Sequence, residues 1–106
     1  MMSEFRMIKS ETFGTVQCDI YGNGEDFYMT REQVGQALEY GNPRISIANI
    51  HERHKDRLDK YSGVINLITP GGRQETTVYN RKGIMEICRW SQQPKADEFM
   101  DFVWTQ

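Results

Sequence analysis

The chain has 106 residues, 38% of them hydrophobic and 26% charged, with a formal net charge of −2. That length holds one modest core, and that composition is globular rather than disordered. No run of about 18 apolar residues is present to span a membrane, the opening MMSEFRMIKSE lacks the apolar stretch of a secretory signal, and two cysteines, Cys18 and Cys88, are too few for a disulfide framework and read as buried or semi-buried thiols in a reducing cytoplasm.

Residues 1–12 carry no strong pattern and are expected to be flexible or peripheral. In 13–20, Val16, Cys18 and Ile20 alternate with Thr15, Gln17 and Asp19, the period of a half-buried strand. Gly22-Asn23-Gly24-Glu25-Asp26 predicts a turn, and 27–29 the returning strand. Thr30 and Gln33 have capping-box spacing, with Met29 and Val34 as a hydrophobic staple, so a helix begins at 31. Gly41 fits the left-handed residue that ends it. Asn42 and Pro43 then open a second helix, where Ile47, Ile50, His51, His54 and Leu58 form one inward stripe that frays between His54 and Lys60. Residues 63–68 and 75–80 predict a hairpin around the TPGGR turn at 69–73. Asn80 caps a third helix. Ser91-Gln92-Gln93-Pro94 breaks it, and Phe99, Met100, Phe102, Val103 and Trp104 line a fourth, which is expected to continue past Gln106. The fold class is therefore α+β, one small domain over 1–106 in the order ββ-αα-ββ-αα, with antiparallel hairpins packed on short helices.

The charges are unevenly spread. Residues 1–30 hold two bases against five acids, residues 61–95 hold five bases against two acids, and 96–106 hold three acids. Two short helices meeting near Gly41, with Ala37 as the small residue at their crossing, match a helix-turn-helix, and the following hairpin suits a wing. In that reading the outer face of the second helix carries Arg44, Asn49 and Arg53, residue types suited to phosphates and base edges. Arg73 and Gln74 sit near the wing tip, and Arg81, Lys82 and Arg89 add phosphate contacts. The plainer alternative is a helix pair and hairpin whose charges are merely solvated. Cys18, His51, His54 and Cys88 are metal-ligand types, but the paired short spacings of zinc sites are missing, so no metal and no cofactor is expected. No phosphate-binding loop or nucleophile motif occurs, and no enzymatic activity is expected.

Three stretches together resemble the Bro-N family, found at the amino ends of prophage antirepressors and of baculovirus repeated-open-reading-frame proteins. They are DFYMTREQVGQALEYGNPRISIANIH at 26–51, VINLITPGGRQETTVYNRKGI at 64–84 and KADEFMDFVWTQ at 95–106. The family's turn usually reads L-G-Y-S-N-P, where this chain has Glu39 and Gly41 in L-E-Y-G-N-P. The resemblance implies an amino-terminal module that binds double-stranded DNA and helps relieve phage repression in the bacterial cytoplasm. The alternative it leaves open is a protein-interaction module that binds a phage repressor or pairs with itself. A carboxy-terminal domain of the same protein is the expected neighbour.

Overall fold

The computed structural model describes residues 6–22 and 27–105. Five strands form one antiparallel sheet: β1 (Arg6–Phe13), β2 (Val16–Gly22), β3 (Phe27–Thr30), β4 (Ser62–Thr69) and β5 (Gly72–Asn80), in the spatial order β1-β2-β3-β5-β4. The helices are α1 (Arg31–Ala37), α2 (Pro43–Arg53), the single turn α3 (Lys55–Leu58) followed by a 3-10 turn at Asp59–Tyr61, α4 (Arg81–Ser91) and α5 (Ala96–Trp104).

Of the stretch expected to be flexible or peripheral, residues 6–12 lie in the edge strand β1, which pairs with β2 from Arg6↔Gly22 to Phe13↔Val16 around a bulge between Met7 and Lys9, and residues 1–5 lie outside the described residues. Gly14, at φ +62°, makes the turn between them, so the strand expected from residue 13 begins at 16. The expected return from β2 to β3 survives as two pairs, Tyr21↔Tyr28 and Gly22↔Phe27, and the turn at 23–26 lies outside the described residues. β3 is short and central. Its other side pairs with the last three residues of β5, Thr30↔Val78 through Tyr28↔Asn80.

Alternation puts Cys18, Ile20, Phe27, Met29 and Tyr79 on one face, and the helices cover that face. Val34 and Leu38, Ile47 and Ile50, Ile84 and Ile87, and Phe99 and Val103 fill the core, all at or below 2% exposure. Phe13 packs on Phe99 and Phe102, ring centroids 5.2 Å from each. Both cysteines are free and buried. Tyr79, the largest fully buried side chain, marks where β5 enters the core. Toward the turn, Gly72 to Glu75 are exposed.

Two details of the helix pair differ from expectation. The left-handed residue after α1 is Glu39 at φ +66°, not Gly41, whose φ is negative. The close approach of the two helices is at Gly35, not Ala37. A Cβ on Gly35 would lie 2.6 Å from the Cα, Cβ and O of Pro43, whereas Ala37 is an ordinary core side chain at 1% exposure. The chain takes the turn at Glu39 because Tyr40 must swing toward α4, where its hydroxyl donates to Ser91 O at 2.7 Å. Gln93 Nε2 donates to Leu38 O at 2.8 Å and ties down the same corner.

Candidate functional site

The helix pair is held at both ends. Thr30 caps α1, its hydroxyl accepting from Gln33 N–H at 3.1 Å. The Gln33 side chain departs from the capping-box expectation: its Oε1 accepts from Asp19 N–H at 3.1 Å and ties α1 to β2. α2 begins at Pro43 without a side-chain cap from Asn42 and ends at His54, where φ −124° and ψ 40° break the helix.

At the centre of the pair is a polar chain. Arg31 Nε donates to Tyr79 Oη at 3.0 Å, and Tyr79 Oη lies 2.8 Å from His51 Nδ1. Arg31 Nη2 also approaches His51 Nδ1, at 3.2 Å, while His51 Nε2 lies 2.7 Å from Asp59 Oδ1. An arginine only donates, so His51 Nδ1 must accept and Nε2 must carry the proton that goes to Asp59. Asp59 also receives Lys55 Nζ at 3.0 Å. Hydrogen bonds from His51 and Lys55 hold its carboxyl below the usual carboxylate range. The imidazole read from sequence as one of a core stripe is thus the strut that orients Arg31.

α2 keeps one face open. Ile47, Ile50 and His51 are buried, whereas Arg44, Ile45, Asn49, Glu52 and Arg53 are exposed. At about 100° per residue, Arg44 and Arg53 stand on opposite flanks of that face, with Ile45, Asn49 and Glu52 between them. Asn49 and Arg53, one turn apart, are neighbours; Arg44 is not beside them.

Arg44 instead faces the ribbon. A cavity of about 410 Å³ lies between the helix pair and the sheet, lined by Arg31, Gln36 and Arg44 from the helices and by Leu67, Gln74 and Thr76 from the ribbon. The acids Asp19, Glu32 and Glu75 share its wall, so its charge is mixed. Two of the predicted residues, Arg44 and Gln74, therefore meet in one groove. Arg73 stands exposed at the ribbon tip.

The α4 cations are engaged differently. Arg81 is half-buried with its guanidinium 4.7 Å from the Phe27 ring centroid. Lys82 lies 6.0 Å from that of Tyr61. Arg89 lies over Trp90 and 3.6 Å from Glu86, which Arg57 also contacts at 2.7 Å. Trp90 in turn stacks on His54, centroids 3.6 Å apart and planes 4° apart. Arg44, Arg53 and Arg73 make no ion pair among the described residues. Arg31, Arg57 and the His54–Trp90 stack went unread in the sequence, since each depends on a partner 20 or more residues away. His51 and His54 point to different partners, and no group of three metal-ligating side chains occurs among the described residues.

The helix pair, with one open face on α2, lies beside the two-stranded ribbon, and Arg44, Arg53 and Arg73 on them form no ion pair among the described residues. The family model described as the BRO family, N-terminal domain, matches residues 17–106, and the chain belongs to that family. No curated protein and no solved structure matches the chain. No helix among the described residues is long and apolar enough to cross a membrane.

Proposed function

We propose that the chain is the DNA-binding module of a phage or prophage antirepressor-like protein, acting on transcription in the lysis–lysogeny decision in the cytoplasm of its bacterial host. The observation that carries this is the placing of unpaired arginines on both flanks of the open face of α2. The major groove is about 12 Å wide and bordered by a phosphate strand on each side. A helix lying in it with Arg44 on one flank and Arg53 on the other reaches both borders. The residues between them then meet base edges: Asn49 suits adenine, Glu52 accepts from the cytosine amino group, and Ile45 suits a thymine methyl. The ribbon, with Arg73 and Gln74, follows the backbone beside Arg44. Arg81, Lys82 and Arg89, already packed on aromatic rings, are secondary phosphate contacts.

Titration of the protein with duplexes from phage regulatory regions at two salt concentrations tests this. Binding should fall with salt, and Arg73→Ala should lower the logarithmic salt slope by about 1 while leaving sequence preference intact. Asn49→Ala should relax preference at one base position, at a cost of about 1–3 kcal/mol. No retention on duplex at low salt would overturn the reading.

A second reading is a module that docks on a phage repressor. It is favoured by Ile45, which is 58% exposed at the middle of the α2 face, and by the net charge of −2. Capture of the repressor without DNA, abolished by Ile45→Lys, would select it.

A further inference from the structure

The two edges of the sheet differ in how they are guarded. Edge strands expose unpaired backbone groups, and natural proteins blunt them with charge, proline or a bulge. The β1 edge has such devices: Arg6, Lys9 and Glu11 lie in its sequence, and its ladder is bulged between Met7 and Lys9. The β4 edge has none. Its eight residues, Ser62–Thr69, read SGVINLIT, without charge or proline, and pair with β5 in unbroken register from Ser62↔Tyr79 to Thr69↔Gly72. Gly63 and Asn66 are exposed, and Val64 is 63% exposed, among the most exposed large apolar side chains described.

We propose that the β4 edge pairs with the β4 edge of a second copy of the chain, antiparallel about a two-fold axis perpendicular to the sheet. Such pairing is self-complementary by symmetry, and the sheet becomes continuous through both copies. Opposed residues must lie on the same face, so the axis passes through Ile65 or Asn66 near the middle of the strand. A second copy fits better than a charged partner for a specific reason. An uncharged strand places no like charges across the axis. The groove of about 470 Å³ that borders Val64 carries exposed Glu52 and Lys55 together, so its rim has neither sign in excess and meets an inverted copy of itself without repulsion. The helix layers of the two copies then lie on one side of the joined sheet.

Sedimentation velocity across a concentration series tests this with the intact chain. The expected result is a reversible monomer–dimer equilibrium. Val64→Lys, at an exposed site the fold does not need, should raise the dimer dissociation constant about tenfold or more by setting like charges near the axis. Thr12→Lys on the opposite edge should leave it unchanged. Hydrogen exchange of the β4 amides should slow as concentration rises. A chain that stays monomeric at high concentration, or a dimer indifferent to Val64→Lys, overturns the proposal. A monomer that still binds DNA would do so while leaving the DNA-binding reading intact, so the two can fail separately.

Discussion

Gly35 and Glu39 carry the helix pair in opposite ways. Gly35 is needed because the ring and backbone of Pro43 occupy the space a Cβ would take. Gly35→Ala should therefore destabilise by about 1–3 kcal/mol through overpacking, seen as a lower urea midpoint. Glu39 holds a left-handed backbone that costs a non-glycine residue about 1–2 kcal/mol. The family's usual turn, as its resemblance implies, has glycine there. Glu39→Gly should stabilise by up to about 1 kcal/mol, since glycine's extra freedom in the unfolded chain offsets part of the gain. Gly41→Ser, at a negative φ with open space around it, should be neutral by the same measurement.

The thiols are a second matter of single residues. Burial, with Asp19 adding, pushes Cys18 up to about 11, and burial, with Asp97 adding, pushes Cys88 up to about 12. The folded chain therefore keeps these protons after the unfolded chain has released them. Their contribution is complete below the unfolded thiol value and is lost as pH rises through the folded values. Melting temperature should fall between about pH 8.5 and about 12, less steeply in Cys18→Ala/Cys88→Ala. Tyr40 and Tyr79, also pushed up chiefly by burial, act in the same direction. At pH 7 neither cysteine should react with an alkylating agent until the chain unfolds.

At the scale of elements, local chemistry is legible in the sequence and long-range chemistry is not. Asn80 caps α4 as its position predicted, Oδ1 accepting from Gly83 N–H at 2.9 Å, and Asn80→Ala should cost about 0.5–2 kcal/mol. Met29 and Val34 flank the start of α1 in the core as a staple should. The ribbon around TPGGR was legible because turn residues separate two β-branched runs. β1 was not, because MIKSET mixes charge and apolar residues and makes sense only opposite β2. Glycine's preference for a left-handed backbone points to Gly41, and the tertiary contacts of Tyr40 override it in favour of Glu39. Among the candidate site residues, the α2 positions were legible, but their division between two flanks follows from helical spacing that a list of polar residues hides.

At the scale of the whole molecule, the charge is low overall and unpaired locally. Lys55, Arg57, Arg89 and Lys95 answer nearby carboxylates, whereas Arg44, Arg53 and Arg73, like Arg31, Lys60 and Lys82, form no such pair among the described residues. Because Arg44 and Arg53 lie on separate flanks, their alanine variants should weaken duplex binding additively, within about 0.5 kcal/mol in a double-mutant cycle. Strong non-additivity would place both on one phosphate. Salt should matter less than for a strongly basic protein, since few phosphates are neutralised.

The joint at Gly35 has a consequence for motion. A hydrogen where a side chain would be, pressed on a five-membered ring, leaves nothing at that point to repack, so α1 and α2 must travel as one piece. Among the described residues the ribbon is anchored by buried Ile65, Val78 and Tyr79 toward its base, and Gly72 to Glu75 beyond them are exposed. Adjustment to a curved or irregular target therefore falls to the exposed arm beyond the Ile65–Thr76 pair, while the helices keep a fixed mutual angle.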